Sequence, residues 1–124
     1  MVSKLEVGDY GAIYKDSTVA PIYFERKGIN DLFNTMTNNY DRFKEEMARA
    51  KEMGVKLVLA IEGTPATVLA GTPYSKFSGE SMMRKLMTLW LRYDLMPMFC
   101  GTRAEMARVI FEFYEAFGRN YKAK

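Results

Sequence analysis

The run VKLVLAI, residues 55–61, constrains the fold of this chain more than any other segment, because every position except Lys56 is apolar. A continuous apolar run of this kind is typical of a strand that is covered on both faces. The run lies between two segments in which apolar residues recur at helical spacing. Strands that alternate with helices in this way predict an α/β layer fold.

The other segments predict a mixed sheet with a β-hairpin at one side. Residues 4–27 form two predicted strands that turn at the DST triplet, residues 16–18, and Pro21 favours an edge or a bulge. The sequence then predicts these elements in chain order: a short helix from Gly28 to about residue 36, a helix capped by Asn38 and closed by Gly54, a long loop over residues 64–77, a helix after Ser78, a buried strand over residues 96–100, and a last helix over residues 103–121 that begins with a capping box of Thr102 and Glu105.

The amino-acid composition excludes several classes of protein and indicates one domain, residues 1–124. The chain has no histidine, which excludes Ser-His-Asp and Cys-His nucleophile systems and histidine-ligated zinc. Catalysis would depend on carboxylates, lysine and a hard metal ion. The only cysteine, Cys100, excludes an intramolecular disulfide and fits an intracellular compartment, cytoplasmic, nucleoid or nuclear. We expect no membrane span and no secretory leader, and the net charge of +3 is compatible with a polyanionic partner.

The charged residues at the end of the second hairpin strand need a physical reason, because buried charges cost free energy unless they are paired, solvated or bound to a metal. The segment YFERKGINDL, residues 23–32, places Glu25 and Lys27 on one face of the strand and Arg26 on the other. Asp9 lies on the other arm of the hairpin, where its carboxylate can lie beside Glu25. Two such carboxylates repel each other unless a cation separates them, and Mg²⁺ suits a site with few carboxylates.

The order of these residues resembles a known family signature. The motifs GD at residues 8–9 and ERKGIND at residues 25–31 are similar to the GD…ERKxxxD signature of the XPF family of structure-specific endonucleases, part of the PD-(D/E)xK restriction-endonuclease-like superfamily. The similarity continues through DRFKEEMARAKEMGVKLVLAIEG and FSGESMMRKLMTLWLRYDLMPMFCGTRAEMARVIFEF, and so covers nearly the whole chain. The resemblance implies a restriction-endonuclease-like mixed sheet with a β-hairpin, flanked by helices on both faces.

The resemblance also implies an activity and a set of site residues. It implies a DNA endonuclease that uses Mg²⁺ or Mn²⁺ and hydrolyses phosphodiester bonds in branched or flapped DNA. Asp9 and Glu25 would be the metal ligands, and Lys27 would be the catalytic lysine. The other implied members of the site are Arg26 and Asp31, with Glu62 and Arg42 in supporting positions.

These assignments have alternatives. Without the flanking aspartates, the ERK triplet is typical of a solvated strand end. Glu62 can equally be an acid that ends a strand, and the polar residues at positions 42–46 have the pattern of a solvated helix face. For the whole chain, the alternatives are a catalytically silent copy of the domain that dimerises or holds DNA, and an α/β regulatory protein unrelated to nucleic acid.

The composition of the last helix indicates how the chain contacts the rest of the domain or a partner. Apolar residues cover more than one stripe of residues 103–121, which predicts burial within the domain or a subunit interface. The resemblance adds that such nuclease domains act as dimers, so we expect a homodimer or a heterodimer formed partly through this helix.

Family members usually open with a further strand bearing an Asp-x-Arg-Glu segment and a helix, and end with a helix-hairpin-helix module. We therefore expect a fragment, a naturally short form, or a sheet that another copy completes.

Overall fold

The computed structural model describes residues 2–3 and 8–121 as a set of strands and helices. In chain order the elements are β1 (Val2–Ser3), β2 (Gly11–Ala12), β3 (Ile22–Gly28), α1 (Ile29–Thr37), α2 (Tyr40–Glu52), β4 (Lys56–Glu62), α3 (Pro65–Ala70), α4 (Gly79–Tyr93), β5 (Met96–Phe99) and α5 (Arg103–Tyr121). None of the helices among the described residues is long and apolar enough to cross a membrane. The helices α1 to α4 provide the crossover connections that parallel strands require.

The run VKLVLAI forms the central strand of a parallel sheet, as its composition predicts. The strand β4 pairs with β3 on one side and with β5 on the other, both in parallel. Leu59, Ala60 and Ile61 are completely buried, because both faces of the strand are covered. The parallel order brings the carboxyl ends of β3 and β4 together, with Gly28 opposite Glu62.

The predicted hairpin joins this sheet along the free side of β3, although its regular strands are short. The chain turns over residues 14–18, and the N–H of Ala20 donates to the carbonyl of Ala12 (3.1 Å). Further along, Tyr10 pairs with Phe24 in an antiparallel bridge. The sheet is therefore mixed, with parallel strands on one side and an antiparallel arm on the other.

A bulge interrupts the hairpin at Pro21, as the sequence predicts. Between the two pairs just described, residues 21–23 of one arm face Gly11 alone on the other arm. Proline causes this interruption because it has no N–H group to donate to the neighbouring strand. Residues 4–7, the start of the predicted first strand, lie outside the described residues.

Two apolar clusters cover the two faces of the sheet. On one face, Leu57, Leu59 and Ile61 pack with buried residues of α1, α2 and α4. On the other face, Val58 and Ala60 pack with buried residues of α5. This division follows from the alternation of side chains along β4. The arrangement confirms the predicted fold class, which is α/β with a mixed sheet, a β-hairpin and helices on both faces.

Tyr114 of α5 fastens the last helix to the hairpin. Its ring is buried and lies edge-on to Phe24, with ring centroids 5.5 Å apart. Its hydroxyl donates to the carbonyl of Ile22 (2.6 Å) and lies 3.2 Å from the carbonyl of Tyr10. Burial raises the pKa of this hydroxyl, so it remains a donor. One side chain of α5 therefore contacts both arms of the hairpin.

Several predicted helix ends are present. Gly54 follows α2 in the left-handed region, with a φ of +72°. The side chain of Thr102 accepts the N–H of Glu105 (3.1 Å), and the side chain of Glu105 accepts the N–H of Thr102 (3.0 Å). Ser78 caps α4 by accepting the N–H of Ser81 (3.1 Å). Each of these ends has a local cause that is visible in the sequence.

The predicted N-cap at Asn38 is wrong. The N-cap of α2 is Asn39, which forms no side-chain capping bond, and Asn38 instead ends α1. The side-chain amide of Asn38 donates to the side-chain oxygen of Asn34 (2.8 Å), so the preceding helix engages it. Two adjacent asparagines gave no local basis for choosing between them.

The segment predicted as one long loop, residues 64–77, contains the short helix α3. Thr64 caps it, because its side chain accepts the N–H of Thr67 (3.2 Å) and the side chain of Thr67 accepts the N–H of Thr64 (3.2 Å). Pro65 occupies the first helical position, where a missing N–H costs nothing. The loop prediction failed because this proline begins a helix.

The strand predicted as buried over residues 96–100 is only partly buried. Within β5, Pro97 is buried, Met98 is partly buried and Met96 is exposed. Among the described strands, β5 lies at one edge of the parallel sheet, next to β4. Cys100, which follows it, is buried in the cluster that α5 covers.

Candidate active site

The hairpin corner places Asp9 over the end of β3. The N–H of Asp9 donates to the carbonyl of Phe24 (2.7 Å), and the N–H of Arg26 donates to Oδ2 of Asp9 (2.8 Å). Phe24 and Arg26 flank Glu25 in β3, so these two bonds hold Asp9 beside Glu25. The carboxyl group of Asp9 lies close enough to that of Glu25 to raise its pKa. The structure thus brings together the two acids that the sequence indicated as a pair.

The corner itself depends on Gly8. Its φ of +74° lies in the left-handed region, which favours glycine. A Cβ atom at this position would lie 3.2 Å from the carbonyl oxygen of Phe24 and 3.2 Å from Cδ1 of Leu57. Both the conformation and the space therefore select glycine immediately before Asp9.

Glu25 is the most perturbed acid of the site. Its residue is only 6% exposed, and this burial is the largest cause that raises the pKa of its carboxyl to about 9. The hydrogen bond to Asp9 and the negative charges of Glu46 and Asp9 raise the pKa further, whereas the positive charge of Lys27 lowers it. Without a bound cation, Glu25 is therefore protonated at neutral pH.

The helix α2 contributes Glu46 to this site, a residue that the sequence pattern indicated as solvated. Oε1 of Glu46 accepts the N–H of Gly8 (2.9 Å), so it supports the corner from a helix 38 residues away. The predicted supporting residue, Arg42, lies exposed one turn earlier. A signal for Glu46 was available: it lies three residues after Phe43 and four before Ala50, both buried, and so on the same side of the helix.

Lys27 and Arg26 lie on opposite faces of β3. Lys27 is partly exposed, and its charge acts on Glu25, two residues earlier on the same face. The side chain of Arg26 lines a cavity of about 370 Å³ together with Arg103 and residues of α5. Arg26 therefore serves the acidic pair through its backbone N–H, while its guanidinium lies on the other side of the sheet.

Asp31 and Glu62 lie together just beyond the end of β3. A Cβ atom at Gly28 would lie 3.8 Å from Oδ2 of Asp31 and 3.9 Å from Oε2 of Glu62. Oε1 of Glu62 is also 3.5 Å from Nε of Arg103, the first residue of α5. The structure therefore places both residues at the carboxyl end of the parallel strands and gives Glu62 an ion pair there.

The donor set suits a hard divalent cation. Asp9 and Glu25 offer carboxylate oxygens, and Mg²⁺ needs only one or two protein carboxylates because waters and phosphate oxygens fill its other positions. Residues 2–3 and 8–121 hold no group of three or more Asp, Glu, Cys and His residues arranged for a metal. Two adjacent acids can exchange a proton held between them for an ion, so the chemistry of this pair is compatible with a cation.

Comparisons with known proteins identify the family and the fold of this chain. The sequence profile of the ERCC4 domain matches residues 1–113. The fold is similar to the solved structure of XPF from Aeropyrum pernix, with a TM-score of 0.71 and 22% sequence identity. The match covers 94% of this chain and 52% of that one, so this chain spans about half the length of the solved structure. No curated protein sequence matches it significantly.

The fold defines an α/β domain of the XPF nuclease type. Because the profile covers most of its length, the chain belongs to the ERCC4 domain family. This is a family of structure-specific DNA endonucleases whose members typically depend on divalent metal ions. The resemblance drawn from the GD and ERKGIND motifs is thereby confirmed.

Proposed function

We propose that this chain is a metal-dependent DNA endonuclease that hydrolyses phosphodiester bonds in branched or flapped DNA. The observation that carries the proposal is the contact between the carboxyl groups of Asp9 and Glu25 beside Lys27. Burying one acid against another costs free energy of folding. A perturbed pair of this kind favours a functional reason over a structural one.

We assign Mg²⁺ or Mn²⁺ to Asp9 and Glu25. When bound there, the ion would neutralise the negative charge that develops on the phosphate. The N–H of Arg26 orients the Asp9 carboxylate, and Glu46 fixes the corner through Gly8. These contacts hold the ligands in place before substrate arrives, which is how surrounding groups tune a metal site.

We assign the role of catalytic lysine to Lys27. Its ammonium group lies on the same face as Glu25, where it orients a water for attack on the phosphorus atom. The water oxygen bonds to phosphorus while the bond from phosphorus to the 3′ oxygen breaks. The water loses a proton to solvent, the 3′ oxygen gains one, and the other product retains a 5′ phosphate.

The remaining assignments rest on the resemblance to the family motif. Arg26 and Asp31 are further members of the site, and Glu62 supports it through its ion pair with Arg103. Arg42, exposed on α2, is assigned a phosphate contact. The assignments of Asp31 and Glu62 depend on their positions beside Gly28 at the carboxyl end of β3.

A cleavage assay tests the proposal. We expect wild-type protein with Mg²⁺ to cut a labelled flap DNA, and Lys27→Ala to reduce the rate about 100-fold or more, because it removes a group aligned with the reacting phosphate. Lys15→Ala provides the matched control, since Lys15 is exposed in the hairpin turn and away from the acidic pair. The control should cut at the wild-type rate.

One result would reject the proposal in favour of its alternative. If wild-type protein binds flap DNA but leaves it intact with both Mg²⁺ and Mn²⁺, the chain is a catalytically silent copy that holds DNA or dimerises. Equal rates for wild type and Lys27→Ala would remove the role assigned to Lys27 and leave the acidic pair to be tested separately.

A further inference from the structure

A second site is indicated by a cavity of about 520 Å³ between α2, α4 and the start of β4. It lies at the amino end of β4, whereas the acidic pair lies toward the carboxyl end of β3. Its floor is apolar and includes Met47, Leu57 and Leu95. The charged residues that line it come from three elements and the residue after α4: Lys44, Lys51, Lys56, Arg92 and Asp94.

The charge of this cavity accounts for the surplus charge of the whole chain. Four basic and one acidic side chain give the lining a net charge of +3, and the net charge of the chain is also +3. The positive and negative charges of all other residues in the sequence therefore cancel. A concave surface of one sign focuses its potential and raises the local concentration of anions.

The basic groups of the cavity are available to an anion. Lys56 pairs with Asp94 (3.1 Å) and Lys44 pairs with Asp41 (3.4 Å), but these pairs are exposed and such pairs are weak. A phosphate can compete with them at little cost. Within residues 2–3 and 8–121, Lys51 and Arg92 form no ion pair with an acid.

The cavity also offers a surface for a flat apolar group. Tyr93 lies at its rim with 49% of its surface exposed, beside the largely exposed Leu91. Bases of unpaired nucleic acid stack on exposed aromatic rings, while basic groups contact the phosphates between them. The combination of ring, apolar floor and basic rim thus fits a nucleic-acid strand better than an inorganic anion.

We propose that this cavity binds a second segment of the DNA substrate, with phosphates on Lys51 and Arg92 and a base on Tyr93. The identity of the polyanion as DNA rests on the proposed function. Ile61, the strand partner of Lys27, and Lys56 are five residues apart along β4, which corresponds to about 17 Å. That distance equals about five nucleotides at the rise of duplex DNA.

The helix α2 separates the two sites. Glu46 faces the corner that holds Asp9, while Lys44 and Lys51 line the cavity from another side of the same helix. DNA that contacts both sites must therefore extend past α2. A branched substrate meets this requirement by placing one arm at the acidic pair and another in the cavity.

A binding assay with matched charge changes tests the proposal. The double variant Lys51→Ala/Arg92→Ala removes two positive charges from the cavity, and Arg108→Ala/Arg119→Ala removes two from exposed positions of α5. Binding of a labelled forked DNA is measured by anisotropy in EDTA at several salt concentrations. We expect the cavity variant to bind about tenfold more weakly, with a salt slope lower by about 2, and the α5 variant to bind within about twofold of wild type.

A photo-crosslink tests the contact directly. A forked DNA carrying iodouracil in its unpaired arm should crosslink to Tyr93, and Tyr93→Phe should keep the binding affinity that Tyr93→Ala loses, because the ring supplies the stacking surface. Thermal unfolding of each variant shows whether a loss of binding reflects a loss of fold.

The outcomes separate this inference from the proposed function. Equal binding by the two double variants overturns the inference, even if wild-type protein cuts DNA. Weaker binding by the cavity variant of a protein that cuts no DNA leaves the inference standing and rejects the nuclease proposal. An equal loss of heparin binding, with no crosslink at Tyr93, identifies a general polyanion surface and also overturns the inference.

Discussion

At the scale of single residues, Glu25 departs furthest from the behaviour of an ordinary carboxyl group. An exposed glutamate is ionised at neutral pH, but Glu25 is buried against Asp9 and Glu46, and its pKa rises to about 9. The unfolded chain carries no such perturbation, so its pKa there is near 4.5. Folding of the metal-free protein therefore takes up a proton across most of the neutral range.

This proton uptake predicts a dependence of stability on pH. Because the folded pKa is raised, the contribution of Glu25 is fully present below about pH 4.5 and is lost as the pH rises to about 9. We expect the Tm of the metal-free protein to fall by several degrees between about pH 5 and about pH 9. Glu25→Gln, which stays neutral, should flatten this slope in calorimetry with EDTA.

The matched control for this slope is Glu45→Gln, since Glu45 is exposed on α2 next to Glu46. This variant should retain the wild-type slope, because it leaves the buried carboxyl group of Glu25 and its surroundings unchanged. Parallel curves for wild type and Glu25→Gln would contradict the raised pKa.

At the scale of elements, the hairpin corner determines whether the site exists. Gly8 and Gly54 both have left-handed φ values, +74° and +72°, but their surroundings differ. A Cβ at Gly8 would press on the backbone of β3, whereas a Cβ at Gly54 would meet nothing within 4 Å. Comparing substitutions at the two glycines therefore distinguishes the effect of backbone strain from the effect of displacing Asp9.

We predict that Gly8→Ala and Gly54→Ala both lower the free energy of unfolding, by about 1 kcal/mol for the strained conformation. Gly8→Ala should lose more, and it should also reduce flap cleavage about tenfold or more, because the corner that holds Asp9 must shift. Denaturant unfolding and the cleavage assay measure the two effects. Cleavage lost to the same degree in both variants would show that strain alone, and not the position of Asp9, limits activity.

The same elements show how far the sequence predicts the structure. The motif GD…ERK, the apolar run of β4 and the caps at Ser78 and Thr102 are local signals, and each produced the expected element. The helix α3 was missed because a six-residue helix gives almost no periodicity. Glu46 was missed because its partner, Gly8, lies 38 residues away, and only tertiary packing brings them together.

At the scale of the whole molecule, the outer side of α5 suggests a subunit interface. Met106, Ile110 and Tyr114 pack onto the sheet, but Phe111 is 53% exposed and Val109 is 37% exposed. Exposed apolar groups on an amphipathic helix are common at sites of association. We therefore retain dimer formation partly through α5 as a proposal, whether with a second copy or with a related chain.

This proposal predicts a change of molecular mass. Phe111→Glu should convert a dimer to a monomer, because it places a charge in the apolar contact. Tyr74→Glu is the control, since Tyr74 is an exposed aromatic residue on the loop before α4 and its substitution should leave the mass unchanged. Light scattering after size-exclusion chromatography measures the molecular mass of both variants. A monomeric wild type would remove the homodimer, and mixing with a related chain would then test the heterodimer.

The position of Tyr114 couples the docking of α5 to the geometry of the hairpin. Its hydroxyl contacts the carbonyl groups of Ile22 on one arm of the hairpin and Tyr10 on the other. Tyr10 follows Asp9 directly in the chain. Undocking of α5 therefore removes one of the contacts that join the two arms, in addition to their own backbone hydrogen bonds. The alignment of the acidic residues on one side of the sheet thus depends in part on an uncharged phenol on the other side.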